Sequence, residues 1–163
     1  MYVGSHTLCL QVKDLASARR FYEALGFRLI EDVPGVRVVL ERSNLNLALM
    51  TFLKGNCLNF RGADVFALHE YLRSEGLELG GKPERYAAKQ VSGDADGACW
   101  LTFDPDGNAV LFDTNANETT EAGRQRRIRQ ALESTGQELA DLGASAECLS
   151  AFRSEILEKF AWK

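Results

Sequence analysis

The sequence predicts an α+β fold in which one β-α-β-β-β unit occurs twice in tandem and is followed by helices. Three observations carry this. Residues 7–29 and 57–79 align at an offset of 50, which sets Asp14 on Asp64, Leu15 on Val65, Phe21 on Tyr71, Gly26 on Gly76 and Leu29 on Leu79. Each copy changes from strand-like alternation to helical spacing directly after its aspartate. From Asn115 onward the pattern is helical only.

The first copy opens on His6–Val12, where apolar Leu8, Leu10 and Val12 alternate with Thr7, Cys9 and Gln11, the period of a strand with one face on a core. Asp14 is a good N-cap, and Leu15, Ala18, Phe21, Tyr22 and Leu25 recur at helical spacing up to Gly26. Three strand-like runs follow, Phe27–Glu31, Val36–Glu41 and Leu45–Phe52, separated by turns at Pro34-Gly35 and Ser43-Asn44.

The second copy repeats the order. Leu58, Phe60 and Gly62 alternate with Cys57, Asn59 and Arg61, Asp64 caps a helix through Ser74, and Gly76 ends it. Leu77–Leu79 begins the next strand, cut short by Gly80-Gly81 and Pro83; residues 84–94 read as a loop. Cys99–Phe103 and Ala109–Asp113 are strands joined by a tight turn at Asp104-Pro105-Asp106-Gly107. These boundaries give a domain over 1–114, with modules at about 5–53 and 56–114, and a helical extension over 115–163. Within the extension, Ile128 and Leu132 mark a helix, Thr135-x-x-Glu138 resembles a capping box, and Leu149, Phe152, Ile156 and Phe160 form an apolar stripe that must pack on the domain or across a dimer.

Composition narrows the function. With 163 residues, 45% apolar and 26% charged, the chain suits one compact domain with an appendage. A net charge of −4 argues against nucleic acid or an anionic membrane as partner, and Arg124, Arg126, Arg127 and Arg129 read as a solvated helix face. The chain shows no long apolar run and no basic-plus-apolar start. Cys9, Cys57, Cys99 and Cys148 show no CxxC spacing, so they read as reduced thiols of a cytoplasmic protein.

Asp14-Leu15 and the run from Arg20-Phe21-Tyr22 to Leu25-Gly26-Phe27 resemble the opening unit of the vicinal oxygen chelate superfamily, which includes glyoxalase I, extradiol dioxygenases and bleomycin-resistance proteins. Asp104-Pro105-Asp106-Gly107-Asn108 resembles its second signature, so the resemblance covers residues 5–114. It implies two modules whose strands curve around a cleft, with helices outside. Leu8, Leu10, Val12, Leu58 and Phe60 then face the helices, while Thr7, Cys9, Gln11, Cys57, Asn59 and Arg61 line the cleft. Leu49, Leu101 and Leu111 complete an apolar wall, and Thr51 and Asp113 add hydrogen-bonding groups. Trp100 has the opposite parity and belongs beneath the helices.

In metal-dependent members of that family, four ligands come from the first and last strands of each module. Counted from the aspartates and the DPDG turn, these positions are Thr7, Leu49, Cys57 and Leu111. Leucine donates nothing to a cation, so the expectation is no metal and no cofactor. His6 lies one residue before a ligand position and points away from the cleft on a regular strand; His69 is a helix residue. Cys9, Cys57 and Cys99 all have cleft parity, as small core residues or as thiols able to hold a soft metal or meet an electrophile.

The expected function is a metal-free protein that binds a small molecule, of the bleomycin-resistance type. The resemblance implies a homodimer, with drug or metabolite sequestration as its role. The alternative is a metal-dependent lyase, isomerase or dioxygenase using His6, Cys57 and a further ligand. A third reading makes the helical extension an interaction module.

Overall fold

In the computed structural model, which describes residues 3–43, 45–87, 96–115, 118 and 120–159, the order strand, helix, three strands occurs twice. The first set is β1 (Ser5–Gln11), α1 (Leu15–Ala24), β2 (Arg28–Val33), β3 (Arg37–Arg42) and β4 (Leu45–Met50). The second is β5 (Cys57–Arg61), α2 (Val65–Ser74), β6 (Glu84–Tyr86), β7 (Gly97–Phe103) and β8 (Ala109–Asn115). Helices α3 (Glu121–Asp141) and α4 (Ala146–Lys159) follow. No helix among the described residues is long and apolar enough to cross a membrane.

All eight strands form one curved mixed sheet in the order β2-β3-β4-β1-β5-β8-β7-β6. Within each set the first strand pairs in parallel with the last, β1 with β4 and β5 with β8. The two sets join through the antiparallel pair β1–β5 at the centre of the sheet. Both modules therefore complete one sheet within a single chain.

The two aspartates start the helices as their spacing predicts. Asp14 accepts from the backbone N–H of Ala16 and Ser17 at 2.9 and 3.1 Å, and from the Ser17 hydroxyl at 2.6 Å. Those bonds, led by the Ser17 hydroxyl, hold its carboxyl below the ordinary range. Asp64 accepts from Phe66 and Ala67 at 3.1 and 3.0 Å. Gly26 and Gly76 then leave each helix at φ of 89° and 80°, where a side chain is unfavourable.

Helices α1 and α2 cover one face of the sheet. Beneath α1, Val38, Leu40, Leu47 and Leu49 are buried against Leu10, Leu15, Ala18 and Tyr22. Beneath α2, Trp100, Phe112, Val65 and Leu68 are buried with Phe60 alongside. Phe60 stacks on Phe112, Phe112 on Trp100, and the buried His69 ring meets Trp100 edge-on at 4.9 Å. His69 is thus a packing residue of α2.

Two expectations are corrected. Leu77–Leu79 is not a strand; the short edge strand lies at Glu84–Tyr86, within the stretch expected to be a loop, and residues 88–95 lie outside the described residues. Thr135 does not cap a helix but sits inside α3, its hydroxyl donating back to the Ala131 carbonyl at 2.9 Å. Of the α4 stripe, Phe152 lies against Gly136 of α3. Phe160 and the side chain of Ile156 lie outside the described residues.

Candidate functional site

The face of the sheet opposite α1 and α2 is the candidate cleft, and strand register decides which residues reach it. Across β1–β5, Cys9 faces Cys57, Thr7 faces Asn59 and Ser5 faces Arg61. Outward from this seam Cys9 pairs with Ala48 on β4, while Asn59 and Arg61 pair with Leu111 and Asp113 on β8. On β7, Cys99, Leu101 and Phe103 pair with Asp113, Leu111 and Ala109. Because cross-strand partners share a face, these residues form one continuous surface.

Its floor is apolar and closed. Cys9, Ala48 and Cys57 are buried, with Val39, Met50, Leu53, Ala109 and Leu111 packed around them. Cys9 and Cys57 are direct cross-strand partners, with Asn59 two residues along β5 opposite Thr7. Burial first, then the neighbouring Cys57, push the Cys9 thiol up to about 12; burial also raises Cys57. Both are neutral thiols near pH 7, not activated nucleophiles. The Oδ1 atom of Asn59 is buried with no hydrogen-bond partner among the described residues.

Toward the end of β5 the surface turns polar. Arg61 donates from Nη1 to Asp113 Oδ2 at 2.9 Å and from Nε to Glu118 Oε1 at 2.7 Å. Burial opposes its charge, but the two carboxylates outweigh that and raise its pKa. Glu118 also accepts from the Asn115 N–H at 2.9 Å, which fastens the segment leading into α3. At the opposite edge Leu101 and Phe103 remain 48% and 54% exposed. Helix α3 meets the sheet near the β3–β4 turn, where Ser134 donates to the Ser43 carbonyl. A cavity of about 250 Å³ lies there between Glu41 and Asn46 on the sheet and Gln130 and Glu138 on α3. A larger one, about 620 Å³, opens between Phe66 at the start of α2, Arg85 and Tyr86 on β6, and Gly97 and Ala98 on β7.

The register gathers Thr7, Cys9, Cys57, Asn59, Arg61, Leu101, Leu111 and Asp113 on this face, with Gln11 exposed at the end of β1 beside Met50. Two expected cleft residues are elsewhere. Leu49 is fully buried in the α1 core, because its partner on β1 is Leu10 rather than Cys9. Thr51 lies beyond β4 and donates its hydroxyl to the Gly35 carbonyl at 3.2 Å. Ala48, Met50 and Phe103, with Val39, Leu53 and Ala109 around the floor, are cleft residues missed; extending the parity of Cys9 across a parallel β1–β4 pair finds the first two. His6 is exposed on β1 in a regular stretch opposite Phe60 and does not join the floor.

The module relationship also corrects the ligand count. Cys9–Ala48 in the first module corresponds to Asn59–Leu111 in the second, so Ala48, not Leu49, is the counterpart of Leu111. The four positions that the fold family implies for a divalent cation thus hold Thr7, Ala48, Cys57 and Leu111. Two have no donor atom, one is a neutral thiol and one a weak hydroxyl donor. This set does not fit a hard or borderline divalent ion, which needs three or more nitrogen, oxygen or thiolate ligands. Among the described residues, no three His, Cys, Asp or Glu side chains are placed to hold one.

Compared with protein-family models and with curated proteins, the chain matches none. Solved structures do match its fold. A Legionella pneumophila protein described as an NAD-dependent benzaldehyde dehydrogenase superposes with a TM-score of 0.54 at 18% identity, over 68% of this chain and 98% of its own. A glyoxalase/bleomycin resistance protein/dioxygenase superfamily member from Vibrio splendidus 12B01 gives 0.52 at 18%, over 67% and 96%. The differing descriptions of these two neighbours underline that fold alone assigns no chemistry. With its paired modules, central β1–β5 seam and open cleft face, the chain has the vicinal oxygen chelate fold of the glyoxalase/bleomycin resistance protein/dioxygenase superfamily.

Proposed function

We propose that this chain is a small-molecule-binding protein that uses the open sheet face as its cleft without a divalent cation, and that it sequesters a planar or amphipathic drug or metabolite. The observation that carries this is the exposed apolar wall of Leu101 and Phe103, which stands beside a floor holding the unpartnered Asn59 carbonyl. Burying such a wall under a ring and pairing that carbonyl with a ligand N–H or O–H is what a small-molecule site does. The donor-poor set Thr7, Ala48, Cys57 and Leu111 supports binding over cation-assisted turnover. The reading includes a homodimer, checked by sedimentation, and a cytoplasmic setting, which the free cysteines support.

The test is a thermal-shift screen of antibiotics and metabolites, run with and without zinc, nickel, manganese and iron(II). A compound present at a hundredfold over its Kd should stabilise the fold by about 2.7 kcal/mol. That gain should be independent of the metals and lost in Leu101→Asp. One tightly held divalent ion per chain by elemental analysis, or stabilisation only with an ion present, would overturn the proposal.

A further inference from the structure

We infer that the cavity between α3 and the sheet is a binding site for a small organic ammonium ion, with the Glu41 carboxylate as its anchor. Strand parity places that carboxylate. Val38 and Leu40 are buried under α1 whereas Val39 joins the cleft floor, so Glu41 shares the face of Val39 and pairs with Asn46 on β4. Helix α3 passes over this end of the face, and the two enclose about 250 Å³. The Glu41 side chain is only 8% exposed, yet it accepts no hydrogen bond among the described residues. Its charged contact is Arg28 Nη2 at 3.5 Å, and that side chain is 69% exposed and lines the adjoining cavity, not this one. A carboxylate this far from water is left short of donors.

The rest of the lining adds acceptors. Glu138 lines the wall made by α3, and Asn46 and Gln130 bring amide oxygens. The Thr135 hydroxyl gives its proton to the Ala131 carbonyl at 2.9 Å, so toward the cavity it can only accept. No lysine or arginine is among the described residues that line it, and His6 stands exposed at its rim. A protonated primary amine, with three N–H donors and one positive charge, is the complement of these walls. A divalent metal ion does not fit, because among the described residues no three His, Cys, Asp or Glu side chains converge. The volume falls below that of drug-sized sites, which limits the occupant to a short-chain amine. Leu101 and Phe103 lie across the sheet on β7, so this site stands or falls independently of the cleft ligand.

The experiment follows backbone amide shifts of the isotope-labelled full-length chain by NMR, at constant ionic strength, as n-butylammonium is added. The expected result is saturable binding at one site, with shifts concentrated at Glu41, Asn46, Gln130 and Ser134. n-Butanol, the neutral isostere, and tetramethylammonium, which has the charge but no N–H, should bind at least ~10-fold more weakly. Glu41→Gln should weaken n-butylammonium ~10-fold or more, and Glu138→Gln, on the less buried wall, ~3-fold. Arg28→Gln removes the cation that competes for Glu41 and should tighten binding ~3-fold, while the same loss of charge at Arg73 on α2 should change nothing. No saturable shift at Glu41, or shifts spread over exposed carboxylates such as Glu70, overturns the site. So does an equal response to n-butanol or tetramethylammonium, or unchanged binding in Glu41→Gln. The comparison of the three ligands uses wild-type protein and decides even where a variant fails to fold.

Discussion

Arg61 and Glu118 meet at 2.7 Å, linking the centre of the sheet to the segment that leads into α3. The same guanidinium holds Asp113, whose side chain is only 12% exposed, so removing it takes the cation away from a poorly solvated carboxylate. Arg61→Met should destabilise the fold by about 2 kcal/mol, the scale of hydrogen bonds to charged groups. Glu118→Gln removes one arm, leaves Asp113 paired, and should cost about 1 kcal/mol. Urea unfolding of the two variants checks the order; equal losses would mean that Asp113 does not depend on Arg61.

The buried thiols predict an alkaline limit. Cys9 keeps its proton in the folded state up to about 12, against 9.0 for the free thiol. Between those values the unfolded chain binds fewer protons than the folded one, so stability is full below about pH 9 and falls as pH rises toward 12. The steepest slope from this one group is about 1.4 kcal/mol per pH unit. Cys9→Ala should flatten that decline in a series of denaturant melts. At pH 8 a thiol reagent should label exposed Cys148 and spare Cys9 in the native protein.

Trp100 Nε1 donates to the Gly80 carbonyl at 2.8 Å, and Thr102 accepts from the Gly80 N–H at 3.1 Å. These bonds tether the segment between α2 and β6, which has no strand of its own there. Trp100→Phe leaves the carbonyl without its donor and opens space against His69, at a cost of about 2–3 kcal/mol. Hydrogen exchange should then accelerate at residues 79–82 before it does in β8.

Much of this architecture is legible in the residues alone, and its exceptions have physical causes. Asp14 and Asp64 announce the helices because a cap is a local interaction between a side chain and the next N–H groups. The face of each β1 and β5 residue follows from alternation, because one side of each strand meets a helix-covered core. Leu47–Met50 shows no alternation: Leu47 and Leu49 are buried under α1 while Ala48 and Met50 join the seam cluster, so both faces are apolar and parity has to come from the pairing partner. Strand β6 is likewise created by pairing, as Glu84–Tyr86 aligns on β7 and the Tyr86 hydroxyl donates to the Thr114 carbonyl at 3.1 Å, whereas the apolar Leu77–Leu79 has no neighbour to pair with. Thr135-x-x-Glu138 has the spacing of a cap, but the residues before it already continue the helix.

That parity correction yields the sharpest mutational contrast. Leu49 has no exposure under α1, so Leu49→Ala should cost about 3–4 kcal/mol, the range for a buried leucine whose cavity cannot collapse. Leu111, only partly buried on the cleft face, should cost about 1 kcal/mol as alanine. The same geometry says where a divalent site can be rebuilt. Thr7→His, Ala48→Glu, Cys57→His and Leu111→Glu place four donors on one face around the seam, and the variant should bind Ni(II) or Zn(II) at one ion per chain by isothermal titration. Replacing Ala48→Glu with Leu49→Glu in that set buries a carboxylate beneath α1, where no cation reaches it, and should abolish both folding and metal binding. A folded Leu49→Glu variant that binds the ion as well would mean that β4 presents the opposite face to the cleft.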